Sequence, residues 1–119
     1  MIARMWHGYT TPENADAYEA RLKPELLPGL SKTPGFLGSY LLRRASEDEV
    51  EFITIILWES YDALRAIAGE NYEAAIVPQE RRKYLKRFDG KAQHYGGEFG
   101  SLSEQRKTSR IIRYLSHKL

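Results

Sequence analysis

The chain has 119 residues, of which 42% are apolar and 29% are charged, as is typical of one globular domain. It contains no cysteine, which excludes disulfides, thiolate metal sites and a cysteine nucleophile. Residues 1–97 carry 13 Lys and Arg against 14 Asp and Glu. The body of the chain therefore has no net positive charge that would favour binding to nucleic acid. The start, MIARMWHGYT, lacks the apolar core of a signal peptide, and we expect a cytoplasmic protein.

The first third of the chain predicts a strand followed by a helix. Residues 2–9, IARMWHGY, are typical of a strand. Asn14 is a candidate N-cap, and the apolar spacing that follows predicts a helix to about Leu30. Pro24 lies inside that segment and predicts a kink or a break into short turns, because proline cannot donate the backbone hydrogen bond.

Two strands follow, and a short acidic turn joins them. Residues 36–44 and 50–58 are rich in apolar side chains, and their short connection predicts an antiparallel hairpin. The second strand is apolar on both of its faces, since Phe52 and Trp58 point one way and Ile55 the other. Both faces of this strand should therefore be covered.

The rest of the domain predicts a second helix, a short basic helix and a fourth strand. Ser60 is a candidate N-cap for a second helix, and Gly69 is a natural stop. Pro78 can open a short basic helix over 78–88, and residues 91–97 predict a fourth strand. The order βαββαβ predicts an α+β ferredoxin-like fold with an antiparallel sheet.

Two helices can cover only one face of such a sheet. The other face would expose more apolar surface than a soluble monomer normally shows. Packing two sheets face to face removes this surface from water. We therefore expect a homodimer in which the two sheets form a barrel-like core.

Four segments of this sequence resemble the antibiotic biosynthesis monooxygenase (ABM) family of small dimeric α/β-barrel proteins. The W-x-S motif at Trp58, followed by a helix, and the pair His94-Tyr95 are the most specific pieces. The resemblance covers residues 1–97 and implies a dimeric α/β barrel. The matching segments are MWHGYTTPENADAYEARL, TPGFLGSYLLRR, EVEFITIILWESYDALRAIAG and VPQERRKYLKRFDGKAQHY.

The resemblance also implies a choice of activities. Family members include cofactor-independent oxygenases of quinol or polyketide-like aromatics, and haem-degrading oxygenases. The haem-degrading branch uses an Asn, a Trp and a His at positions that here correspond to His7, Ile67 and about Val77, and none of them matches. The leading hypothesis is a monooxygenase without a cofactor that acts on a small aromatic or quinol-like substrate. The alternatives are a non-catalytic ligand-binding or stress-related domain, and a haem-binding or haem-degrading protein.

Few residues offer catalytic chemistry. The sequence has no G-x-G-x-x-G, P-loop or H-E-x-x-H motif, so no metal site or cofactor is predicted. His7 and His94 are the candidate bases near neutral pH, although either could instead be a structural histidine. Aromatic side chains could bind the substrate or could simply form the core. The candidates for substrate binding are Trp6, Phe36, Trp58 and Tyr72.

The end of the chain forms a separate region in composition. Residues 98–119 carry five Lys and Arg against two acidic residues and fall outside the resemblance. Apolar residues at roughly helical spacing predict that the segment is partly helical and basic. Such a helix can contact a membrane surface, bind a partner or pack on its own domain. The prediction is thus one domain over 1–97 and a basic tail over 98–119.

Overall fold

The computed structural model describes residues 1–26, 29–98 and 100–101 of the chain. The tail beyond residue 101 and its predicted helix lie outside the described residues. Within them, none of the helices is long and apolar enough to cross a membrane. The elements in chain order are β1 (Ile2–Thr10), α1 (Ala15–Leu26), β2 (Phe36–Ala45), β3 (Val50–Trp58), α2 (Tyr61–Ala68), α3 (Gln79–Arg82), β4 (Leu85–Phe88) and β5 (Gln93–Gly96).

The strands form one antiparallel sheet with β1 and β3 at its centre. β3 pairs with β1 on one side and with β2 on the other, as the predicted hairpin requires. β4 and β5 share the free edge of β1, where β4 pairs with its end and β5 with its start. This arrangement confirms the predicted α+β ferredoxin-like fold. The sheet of the single chain is open and does not close into a barrel.

The sequence prediction was wrong for the segment 78–88. Only Gln79–Arg82 is helical there, and Leu85–Phe88 forms the strand β4. Backbone groups of β1 at Gly8 to Thr10 are free for pairing at that edge, and the strand satisfies them. Pairing also turns Leu85 and Phe88 toward the apolar side of Trp6. Tertiary contacts therefore override the weak helical preference of a basic segment.

The helices begin and end largely where their local chemistry predicts. The hydroxyl of Ser60 accepts a hydrogen bond of 3.1 Å from the backbone N–H of Ala63, and Gly69 ends α2 with a φ of 84°. The first helix continues through Pro24 to Leu26. The predicted extension to Leu30 fails, because Leu30 itself lies in a bend; residues 27 and 28 are outside the described ranges.

All of the described helices pack on the same face of the sheet, which we call the helix face. Tyr18 and Leu22 of α1 pack against Phe52, while Leu64 of α2 packs against Trp58. The strand register places Ile2, Arg4, Trp6 and Gly8 of β1 on this face, beside Trp58, Ile56, Thr54 and Phe52 of β3.

The other face of the sheet, which we call the open face, has no described element packed on it. Its centre is apolar and is built from Met5, Ile53 and Ile55, with Tyr40 and Leu42 left 46% and 47% exposed. Towards the end of β1 the open face becomes charged. An apolar sheet face of this kind is typical of a surface that is covered in the working protein.

Candidate functional site

A cavity of about 200 Å³ lies between the helix face of the sheet and the elements above it. Its floor consists of Arg4 and Trp6 from β1 and Thr54 and Ile56 from β3. Helix α1 and the segment 75–81 form the walls, mainly with apolar side chains. A mostly apolar cavity with a few polar groups is typical of a small-molecule site.

Trp6 is a rigid wall of this cavity. Its indole N–H donates a hydrogen bond of 2.7 Å to the carbonyl oxygen of Asp89, and the side chain is almost completely buried. The ring lies against Gly8, where an added Cβ would come within 3.0 Å of the ring. A side chain at position 8 would therefore crowd the indole ring, which would have to shift by a few tenths of an ångström, and glycine leaves the ring its present place beside the cavity.

Three charged residues line the cavity. Arg81 forms an ion pair with Glu25 across it, with the Arg81 Nε 3.0 Å from the Glu25 Oε2. Arg4 is the third, and burial lowers its pKa. Since Glu25 neutralises Arg81, the lining carries a net charge of +1, which comes from Arg4.

His94 lies on the helix face, directly across from Arg4 on the neighbouring strand β5. Its ring packs edge-on against Tyr72, with a centroid distance of 5.0 Å. Its Nε2 is buried and has no hydrogen-bond partner in the described part of the chain. Burial lowers the pKa of His94, as does the positive charge of Arg4, while Glu73 opposes the shift. The ring is therefore neutral at pH 7 and can accept a proton.

The structure separates the two candidate histidines. His7 pairs with Ile53 and points to the open face, whereas His94 points to the helix face. The Nδ1 of His7 lies 2.9 Å from the carboxylate of Glu51, which also binds Arg44. The hydrogen bond from His7 lowers the pKa of Glu51, with help from Arg44. His7 therefore belongs to a charged cluster on the face opposite the cavity.

Only one of the four predicted aromatic residues lines the cavity. Trp6 lines the cavity and Tyr72 contacts His94. Phe36 and Trp58 contact each other edge-on at 6.0 Å and pack in the core under α2, away from the cavity. His94 and Tyr72 line a separate, open depression beside it.

Arg4 and Thr54 are site residues that the sequence interpretation did not select. One signal was available, because Ile2, Arg4 and Trp6 alternate on one face of a strand, and a cation between two apolar residues is unusual. The cavity lining contains no His, Cys, Met or Tyr, the usual axial ligands of haem. Elsewhere in the described ranges, no group of three acidic or histidine residues could hold a metal ion.

Comparison with known proteins identifies one family. The sequence model described as antibiotic biosynthesis monooxygenase matches residues 1–77. This match includes β1, β3 and Val77 of the cavity wall, and ends before β4 and β5. No curated protein sequence matches the chain.

Solved structures share the fold. The haem degrader MhuD of Mycobacterium tuberculosis is 20% identical, with a TM-score of 0.57 over 85% of this chain and 99% of its own. A Bacillus cereus protein assigned to the antibiotic biosynthesis monooxygenases is 14% identical, with a TM-score of 0.61 over 87% and 98%. A Chloroflexus aurantiacus protein with the same assignment is 17% identical, with a TM-score of 0.53 over 84% and 95%. At these identities the likeness shows the fold alone.

Proposed function

Because the chain belongs to the antibiotic biosynthesis monooxygenase family, we propose that it oxidises a small aromatic or quinol-like molecule with O2 and without a cofactor. The observation that carries this proposal is the cavity on the helix face. It combines a fixed indole wall, an apolar lining and one cation, with a neutral histidine on the adjacent strand. These are the parts that a substrate-driven oxygenation needs.

The chemistry depends on the electrons of the substrate. In the overall balance, one activated methylene group and one molecule of O2 give one carbonyl group and one molecule of water. Removal of one C–H proton gives an electron-rich carbanion, which reduces O2 and forms a C–O bond. Loss of the second proton breaks the O–O bond, so one oxygen atom stays in the product and the other leaves as water. The protein must accept a proton, stabilise the anion and exclude bulk water.

His94 is the base in this proposal. It is the only described histidine on the face that holds the cavity, and its lowered pKa keeps it unprotonated at neutral pH. Along the sheet, Arg4 lies between His94 and Ile56 of the cavity floor. His94 does not line the cavity itself, so the proposal requires either a shift of the Arg4 side chain or a water that carries the proton between the substrate and the imidazole.

The same proposal includes a homodimer. The support is the open face, where Met5, Ile53 and Ile55 present an apolar surface that no described element covers. A second copy presents the same surface, and a two-fold axis through the sheet makes the two surfaces self-complementary. The dimer leaves the cavity accessible, because the cavity lies on the opposite face.

Oxygen uptake with a panel of anthrones, which carry the activated methylene group of this balance, tests the activity. We expect one O2 consumed per substrate and one oxygen-18 atom in the product when isotopically labelled O2 is used. Ala75→Phe, which fills the cavity, should abolish turnover, whereas the same change at the exposed Ala66 of α2 should preserve it.

Two other results would replace the proposal. Thermal stabilisation by the same compounds without any O2 uptake would indicate a ligand-binding protein. A Soret shift on titration with haem, lost in Ala75→Phe and kept in Ala66→Phe, would indicate a haem protein.

A further inference from the structure

Arg4 is a partly buried arginine without an acidic partner. Of the three described arginines that are partly buried, Arg65 pairs with Asp62 and Arg81 pairs with Glu25. Arg4 has no carboxylate oxygen within 4.0 Å in the described part of the chain. A partly buried cation without a partner is unfavourable, because burial removes hydration that nothing replaces.

The surroundings of Arg4 do not compensate for its charge. Its neighbours on the helix face of β1 are Ile2 and Trp6, and across the strands it faces Ile56 and His94. His94 cannot supply a negative charge, and the proximity of the two groups disfavours protonation of the imidazole. Glu73 acts electrostatically on His94 but forms no ion pair with Arg4. The positive charge is therefore directed at the cavity that Arg4 lines.

We propose that Arg4 is the anion-binding residue of this cavity, and that the ligand is a flat aromatic molecule bearing a carboxylate or an acidic phenolic oxygen. The guanidinium supplies several N–H donors in a plane, which fits an anionic oxygen on a ring. Trp6 supplies the flat wall for the ring, and the Thr54 hydroxyl on the floor adds a polar group near it. The inference rests on the proposed function and narrows its substrate to aromatic compounds that bind as anions.

The arrangement also assigns a role to the charge during the reaction. When the methylene group loses its proton, part of the negative charge lies on the conjugated ring oxygen, which gains a charge partner in Arg4, so the pKa of that C–H group in the site falls. The aromatic anion is the electron-rich species that can reduce O2. Arg4 thus positions the substrate and favours its reactive form, while the neutral ion pair of Arg81 and Glu25 leaves the net charge of the cavity unchanged.

A pair of probes of the same size and shape, one anionic and one neutral, tests this inference. 2-Naphthoate and 2-naphthamide share the same ring, but only the first is an anion at pH 7. We expect isothermal titration calorimetry on the wild-type chain to show about 10- to 100-fold tighter binding of naphthoate, the range expected for a hydrogen bond to a charged group. Arg4→Gln should abolish that preference, and Arg4→Lys should restore part of it.

Arg21→Gln removes the same charge from the exposed side of α1 and should keep the wild-type preference. Equal affinities for the two probes in the wild-type chain, or a preference that survives Arg4→Gln, would overturn the inference. Should Arg4→Gln fail to fold, as judged by circular dichroism, Arg4→Met gives the same comparison.

Binding that depends on Arg4 without O2 uptake on any substrate would defeat the proposed function only. Equal O2 uptake by the wild type and Arg4→Gln would defeat this inference only.

Discussion

Arg4 and His94 lie side by side on the antiparallel strands β1 and β5, and both side chains occupy the helix face of the sheet. Arg4 borders the cavity, and His94 lies next to it, packed against Tyr72. The cation helps to keep the imidazole neutral, so the two residues are coupled electrostatically. This pairing places one cation and one neutral base side by side.

The coupling predicts a measurable change in the titration of His94. Burial is the main cause of its lowered pKa, and the charge of Arg4 is the second. Arg4→Gln removes the second cause, so the pKa of His94 should rise toward its usual value of about 6.5. NMR titration of the His94 ring protons measures the shift. Arg21→Gln serves as control, and an unchanged pKa in Arg4→Gln would show that the two groups do not interact.

The assignment of His94 as base predicts a specific pH profile. The base must be unprotonated, so kcat/KM should fall as the pH decreases through the pKa of His94, which lies below about 6.5. His94→Gln should lower kcat by about 10²- to 10⁴-fold and remove this acid limb. His7→Gln is the matched control, because His7 faces away from the cavity. A profile that keeps its acid limb in His94→Gln would exclude the role.

An unpartnered cation also predicts an effect on stability. Arg4→Met replaces a partly buried charge with an apolar chain of similar length, and we expect unliganded protein to gain up to about 1 kcal/mol. This gain corresponds to a rise in Tm of about 4 °C. Arg81→Met should have the opposite sign, since it leaves Glu25 without its partner. Urea unfolding measures the free energy of unfolding of both variants. A loss of stability in Arg4→Met would show that Arg4 has a structural role.

The open face predicts a dimer that a single charge can disrupt. Ile55 lies near its centre, between Met5 and Tyr40 on the neighbouring strands. Ile55→Lys would place a charge without a partner in the interface, which should weaken the dimer by at least about 100-fold. Ile67→Lys, on the exposed side of α2, should leave it intact. Light scattering at micromolar concentration reports the mass, and a monomeric wild-type chain would contradict the proposal.

Much of the fold could be predicted because the signals were local. The strand Val50–Trp58, the cap at Ser60 and the stop at Gly69 each depend on a few neighbouring residues. The strand Leu85–Phe88 could not be found in this way. Its sequence has no clear alternation, and it forms because β1 has a free edge beside it.

In the candidate site, too, some features could be predicted from the local sequence and others could not. From the sequence alone, the alternation of β1 already placed Arg4 with Ile2 and Trp6 and opposite His7, since neighbouring strand residues point to opposite faces. The face of His94 depended on its register with β1, which only the tertiary structure supplies. That register placed His94 beside Arg4 and separated it from His7. Strand periodicity is a property of the local backbone, whereas register depends on which distant hydrogen bonds form and which side chains pack across the sheet.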